Sequence, residues 1–307
     1  MKIFYGKAVY DDKEISAVNR VLRHKSLNLI DGPSVKLLEK KIAKLFGKKY
    51  ALMVNSGSSA NLLAFFALTN PENKQRIKPN DECIIPAICW STSLWPIVQA
   101  GLKPKFIDVD PKNFNLNLNI LEKNITKKTK AILAVHILGN STNMKKLMDL
   151  VRKKNLTLIE DSCESLGSIY KNKYLGTFGK YGTYSFYVSH QITSGEGGMI
   201  VCNNTKDYRI IHALRAHGWD RGLLKKNKND FNFINSGFNL RPLDLTAAIG
   251  MSQFKRLNLM KKIRNENRNK IVNALVNSSG WKNQYTFFNP IEGLKPSWFG
   301  LPLLINR

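Results

Sequence analysis

Over the first 50 positions apolar residues recur at helical spacing. Ile15, Val18, Val21 and Leu22 fall on one face of a helix that Asp11 or Asp12 can cap. A second amphipathic helix is expected from about Pro33, through Val35, Leu38, Ile42 and Leu45, with Gly47 as its stop. From Tyr50 the period changes. Short apolar runs at Ala51–Val54, Cys83–Pro86, Lys105–Val109, Ala131–Val135 and Thr157–Ile159 alternate with helical patterns. Such runs predict crossover connections and a mostly parallel sheet sandwiched by helices, an α/β fold. After Gly182 come shorter strand-like pieces, Thr183–Tyr187 and Met199–Cys202, and a helical stretch ending near Ala216. A lysine-rich loop, Lys225–Asp230, leads to a long helical region from Pro242 to about Asn277, and Trp298–Ile305 reads as one last strand.

Composition adjusts this picture only slightly. The chain of 307 residues is long enough for a large domain and a smaller one, expected at 1–250 and 251–307. No apolar run approaches the roughly 20 residues that span a bilayer. The start, MKIFYGKAVYDDKE, turns acidic too early for a secretory signal, so a cytoplasmic, membrane-free protein is expected. The formal net charge of +26 raises the possibility of a nucleic-acid partner. The lysines are spread along the whole chain, however, and no basic run is interleaved with aromatics. A Lys- and Asn-rich proteome would produce the same balance, and the charge would still help gather an anionic substrate. Cys83, Cys89, Cys163 and Cys202 fall at no zinc-like spacing and read as buried thiols, with no metal expected.

In a parallel sheet ligands bind beyond the carboxyl ends of the strands, so the residues following each run carry the chemistry. The first run passes into Asn55-Ser56-Gly57-Ser58-Ser59-Ala60-Asn61, a small-residue turn opening a helix. Its amides and the helix dipole favour a phosphate, although many strand-to-helix turns look alike. The fifth run ends in Glu160-Asp161-Ser162-Cys163-Glu164. Asp161 could cap a helix, hold a metal or pair with a protonated pyridine nitrogen. Trp90 is placed to stack on a flat ring, although a core tryptophan would read the same.

The segments NSGSSAN, EDSCESLG, SFYVSHQITSGEGG and GFNLRPLDLTAAIG occur in the order found in sugar aminotransferases of the DegT/DnrJ/EryC1/StrS family, which this chain resembles over nearly its whole length. The resemblance implies a fold type I pyridoxal-phosphate enzyme, a homodimer with active sites at the subunit interface. By motif position it implies that Ser185 and the amides of Gly57 and Ser58 hold the cofactor phosphate, Asp161 the ring nitrogen and Trp90 a ring face. Glu164 would lie near the ring substituents, and Asn239 would reach the partner's phosphate. His217, Arg221 and Arg241 are weaker expectations for sugar or diphosphate contacts. The family continues for about a strand and a helix or two beyond Trp298-Phe299-Gly300, so the small domain is expected to be partial.

One departure changes the implied reaction. Five positions after Ser185, where the aminotransferases carry the lysine that links to the cofactor, stands His190, and no lysine lies between Lys180 and Lys206. Imidazole makes no Schiff base, so the cofactor would be held non-covalently. Within the family, histidine here marks 3-dehydratases of dideoxysugar biosynthesis, a source of lipopolysaccharide O-antigen sugars. The segments Arg215–Trp219, Lys225–Lys228 and Ser297–Gly300 resemble the branch acting on GDP-4-keto-6-deoxy-D-mannose. The implied activity removes the 3-hydroxyl of a nucleotide-linked 4-keto-6-deoxy sugar. Pyridoxamine phosphate would be the working cofactor, L-glutamate would restore it, and His190, an imidazole titrating near about 6.5, would be the base. A related histidine-bearing branch uses an iron–sulfur cluster. Only Cys202 follows His190, too few thiolates for one, so no cluster is expected. Rival readings are a lysine-less aminotransferase relative that only binds, and a basic nucleic-acid-binding protein.

Overall fold

Strand residues sort by parity onto the two faces of a central sheet. Leu52 and Val54, Cys83 and Ile85, and Ala131 and Leu133 join one buried cluster, while Met53, Ile84 and Ile132 join others on the opposite face. The computed structural model describes residues 6–24, 29–73, 76–220 and 231–306. Within them, α1 (Asp12–Arg23) and α2 (Pro33–Phe46) precede β1 (Tyr50–Val54), α3 (Gly57–Thr69), β2 (Glu82–Pro86), α4 (Ser91–Gln99) and β3 (Lys103–Ile107). Next come α5 (Leu118–Asn124), β4 (Thr129–Val135), α6 (Met144–Lys153) and β5 (Thr157–Asp161). The short β6 (Ile169–Tyr170) and β7 (Lys173–Tyr174) lead to β8 (Tyr181–Ser185), β9 (Gly198–Cys202) and α7 (Thr205–Arg215). The chain continues through α8 (Asp244–Phe254), α9 (Leu257–Val276), β10 (Tyr285–Phe287), β11 (Leu294–Lys295) and β12 (Leu303–Ile305).

The main sheet has seven strands in the order β1-β9-β8-β5-β4-β2-β3, with only β9 antiparallel to its neighbours. Helices α3, α4 and α7 cover one face; α2 and α8, with α5 and α6, cover the other. The α/β sandwich expected from the alternation is therefore present. No described helix is long and apolar enough to cross a membrane.

Three expectations need correction. The buried face of α1 is Glu14, Ala17 and Val21, while Ile15 and Leu22 are half exposed. Glu14 is drawn inward because it receives the Asp11 amide (2.8 Å), Gln253 Nε2 (3.0 Å) and the Arg256 guanidinium (3.3 Å). The single long helix after Pro242 is two, α8 and α9. Arg256 lies between them and reaches back to Asp11 at 2.6 Å and to Glu14. The last strand is only Leu303–Ile305, paired with Tyr285–Phe287, which is too short to announce itself in the sequence. Trp298 and Phe299 are not strand residues; the Phe299 amide bonds the Leu138 carbonyl at 3.1 Å.

One buried ion pair ties α2 and α7 to β1. Arg215, 1% exposed, meets Glu39 at 3.3 Å and Asp31 at 3.0 Å, and donates to the Met53 carbonyl at 2.8 Å. Glu39 accepts the Met53 amide at 2.8 Å. Burial raises the Glu39 carboxyl above its usual range despite the pull of Arg215. Removing one partner strands the other charge away from water. Arg215→Met should lower the unfolding free energy by about 3–5 kcal/mol in urea titrations, with part recovered by adding Glu39→Gln. A loss under about 1 kcal/mol, the scale of an exposed pair, would show that the buried pair is not what fastens these helices.

Candidate active site

The pocket forms at the carboxyl edge of the sheet, where β1, β8 and β5 end and the antiparallel β9 begins between β1 and β8. After β1 the chain turns at Ser56, whose hydroxyl caps α3 by accepting the Ser59 amide at 3.1 Å. Helix α3 thus opens with the amides of Gly57 and Ser58 in its first turn, where main-chain donors have no partner within the helix. Residue 57 has to be glycine: a Cβ there would stand 2.6 Å from Ser185 Cβ and 2.9 Å from Cys163 Sγ. Gly198 is constrained likewise, since its Cβ would stand 2.2 Å from the Ser56 carbonyl oxygen. Ser185, almost buried, points its hydroxyl to this turn and accepts the Tyr187 amide at 3.3 Å. The result is a cluster of small donors at the positive end of a helix.

Asp161 ends β5, 5% exposed. Asn61 Nδ2 and Ser93 Oγ both donate to its Oδ2 at 2.7 Å, and the Cys163 amide donates to Oδ1 at 3.1 Å. Thr183 fixes the Asn61 amide by donating to its Oδ1 at 2.6 Å. Among the described residues Asp161 has no cationic partner. Glu164 lines the same cavity and accepts the Leu138 amide at 2.7 Å. Burial pushes its carboxyl up, against the pull of the Leu138 amide, and nearby Asp161 adds to the push.

His190 lies on the loop between β8 and β9, its amide bonded to the Tyr187 carbonyl at 3.0 Å. Its ring packs against Phe299 with centroids 5.0 Å apart and planes at 68°. Burial lowers its pKa from 6.5 to about 4; Asp161 opposes the shift and the Arg264 guanidinium reinforces it. An ordinary imidazole pKa therefore does not describe this residue, which is uncharged throughout the neutral range. Gly57, Ser58, Trp90, Asp161, Glu164, Ser185 and His190 all line one cavity of about 590 Å³, of the size that takes a small cofactor. Trp90 stands at its mouth, 72% exposed.

Asn239, His217 and Arg241 are elsewhere. They form their own cluster, in which Arg241 donates to Asn239 Oδ1 at 3.1 Å and lies 3.2 Å from His217 Nε2. Arg221 and the segment Lys225–Lys228 lie outside the described residues. Sequence reading passed over Asn61, Ser93 and Phe299. For Asn61 a signal existed, since it falls one helical turn beyond Gly57 and so on the same face. Ser93 and Phe299 gave none, because their roles depend on what the fold sets beside them.

A helix terminus for an anion, a buried acid without a counter-charge and an uncharged base along one cavity define a site for a flat, phosphate-bearing heterocycle. The chain belongs to the DegT/DnrJ/EryC1/StrS aminotransferase family, whose model matches residues 9–307. It is 39% identical over 313 residues to GDP-4-keto-6-deoxy-D-mannose 3-dehydratase of Escherichia coli O55:H7, covering 98% of this chain and 78% of that protein. The structure of the E. coli GDP-4-keto-6-deoxy-D-mannose-3-dehydratase with bound hydrated PLP superposes with a TM-score of 0.91 at 38% identity, covering 100% of this chain and 80% of the other. A structure of GDP-4-keto-6-deoxymannose-3-dehydratase with a trapped PLP-glutamate geminal diamine gives 0.90 at 37%, with the same coverage.

The lowered imidazole pKa has a consequence for stability. As pH falls, the unfolded chain takes up a proton near 6.5 whereas folded His190 resists protonation until about 4. The stability that neutral His190 contributes is complete above pH 6.5 and lost as pH falls toward 4. His212, also held at about 4 mainly by burial, acts in the same sense. The urea midpoint should therefore fall between pH 6.5 and 5, and less steeply in His190→Asn. Identical slopes for parent and variant would contradict the lowered pKa.

Proposed function

We propose that the protein is a 3-dehydratase dependent on pyridoxal and pyridoxamine phosphate. It removes the 3-hydroxyl of a nucleotide-linked 4-keto-6-deoxy sugar, with GDP-4-keto-6-deoxy-D-mannose as substrate and L-glutamate as amino donor. The observation that carries this reading is His190 in the pocket that holds Asp161, where no described residue lining the cavity is a lysine. The residues present fit the cofactor: among the described residues Asp161 lacks the counter-charge that a protonated ring nitrogen would supply, and Gly57 and Ser58 bring the first-turn amides of α3 to the cavity beside Ser185.

Bound there, the cofactor supplies an amine that condenses with the sugar ketone and a ring that accepts electrons. The protein's own residues do the rest. The Gly57 and Ser58 amides and the Ser185 hydroxyl hold the phosphate. Asp161 holds the ring nitrogen, and Asn61 and Ser93 keep that carboxylate aimed. Trp90 covers one ring face, with Glu164 beside the ring substituents. His190, neutral at working pH, accepts the proton from the carbon bearing the amine and passes it to the departing hydroxyl. Its low pKa suits the second half of that task, because the imidazolium it becomes is a strong acid.

The active unit in this reading is a cytoplasmic homodimer. Asn239 lies away from its own chain's cavity and would serve the partner's cofactor phosphate, with His217 and Arg241 beside it toward the sugar diphosphate. Light scattering should give about twice the chain mass of 34.9 kDa. A monomer turning over substrate at the full rate would remove Asn239 from the site.

The decisive experiment follows the cofactor's absorption during addition of L-glutamate, then of the GDP-linked 4-keto-6-deoxy sugar, with product read by mass spectrometry. The expected product lacks the 3-hydroxyl, and borohydride should leave no cofactor on any lysine. His190→Asn should keep cofactor affinity yet slow both half-reactions by roughly 100- to 10,000-fold, the contribution of a general base. An aminated sugar, or near-parental dehydration by His190→Asn, would overturn the assignment.

A further inference from the structure

Two segments distant in sequence meet at the His190 imidazole, the β8–β9 loop and the 296–300 segment, and one side chain binds both. Arg264, on α9, donates through one terminal nitrogen to the carbonyls of Ser189 and His190, each at 3.0 Å. Its other terminal nitrogen donates to the Phe299 carbonyl at 2.8 Å and reaches that of Trp298 at 3.5 Å. All four acceptors are main-chain oxygens, and among the described residues Arg264 has no acidic partner. A planar guanidinium with a fixed fork of donors senses the relative position of two backbones in a way a single ammonium cannot. It lies outside the cavity lining, so it acts through others. The neighbouring Gln191 reinforces the junction, donating from Nε2 to the Glu164 carbonyl at 2.6 Å and the Ser297 carbonyl at 3.0 Å.

We propose that Arg264 is the positioning residue of His190: by binding the main chain on both sides of the His190–Phe299 ring contact, it sets where the imidazole stands in the pocket. The chemical consequence rests on the function proposed above; the placement of the ring does not. The charged and titratable groups around the imidazole are Asp161 at the end of β5, Cys163 and Glu164 just after it, Tyr187 and Glu196 of its own loop, and Arg264 from α9. Of these, only Arg264 brings positive charge, which adds to burial in keeping the ring neutral. Without Arg264 the ring would lose both the Phe299 face and this charge.

Arg264→Met and Arg264→Lys, made in the full chain, separate geometry from charge. The readout is the ring-proton resonances of His190 by NMR across pH, assigned with His190→Asn. In Arg264→Met the shift caused by the Phe299 ring current should shrink and the titration midpoint rise by about one pH unit, a tenfold gain in proton affinity. In Arg264→Lys the midpoint should stay near the parental value while the ring-current shift still shrinks, because one ammonium cannot hold both backbones. Pyridoxal phosphate affinity should remain within about twofold in both, while kcat for the glutamate half-reaction falls roughly tenfold or more at unchanged KM, the signature of a misplaced group. If the parental ring-current shift persists in either folded variant, Arg264 does not position His190. Should Arg264→Met fail to fold, that shift in Arg264→Lys alone decides. A moved ring in a protein that never dehydrates the sugar would sustain this proposal and defeat the assigned reaction.

Discussion

The site depends on keeping a carboxylate, Asp161, buried at the carboxyl edge of the sheet with no cation partner among the described residues. Burying an acid in this way is unfavourable unless donors reach it, and here they arrive from three elements: Asn61 on α3, Ser93 on α4 and the amide of Cys163 after β5. Thr183 on β8 in turn orients Asn61. That arrangement requires β5 and β8 to run side by side and α3 and α4 to start on the same face of the sheet. The parallel order of strands supplies this. What remains at the carboxylate is an unmatched demand for positive charge, on which its proposed pairing with a protonated ring nitrogen rests.

Much of this was legible in the chain because it is local. The alternation of short apolar runs and helices reports a sheet buried on both faces, and Gly57 between serines reports a turn that must let something approach. The small-residue requirement is confirmed by what a Cβ at position 57 would strike. The departure at His190 is likewise a local fact. It is read by counting five positions from Ser185.

What could not be read is set by contacts across the chain. Glu14 is buried in place of Ile15 and Leu22 because Gln253 and Arg256, 239 and 242 residues later, join the Asp11 amide in donating to its carboxylate. Lys255 and Arg256 part what looked like one helix into two. Phe299 enters the pocket because Arg264 and the Leu138 carbonyl hold its backbone there, although nothing about an aromatic residue near the end of the chain announces a ligand. Charge state is non-local too. An imidazole read from sequence titrates near about 6.5, whereas burial and Arg264, outweighing Asp161, hold His190 at about 4.

That environment bears on the exchange of lysine for histidine that separates this chain from its aminotransferase relatives. Desolvation disfavours the charged form of any base, so the burial that keeps His190 neutral would also drive a lysine at that point toward its free amine. The proposed reaction asks for an uncharged proton acceptor beside Asp161, and either side chain meets that electrostatic condition. They differ in what the neutral form can do next. A free amine can bond covalently to a carbonyl carbon and compete with any amine the cofactor brings, whereas an imidazole can only exchange a proton. Replacing lysine by histidine thus keeps the field of the site nearly intact while deleting one reaction from its repertoire. On the proposed reading, a leaving group adjacent to the sugar ketone then has time to depart.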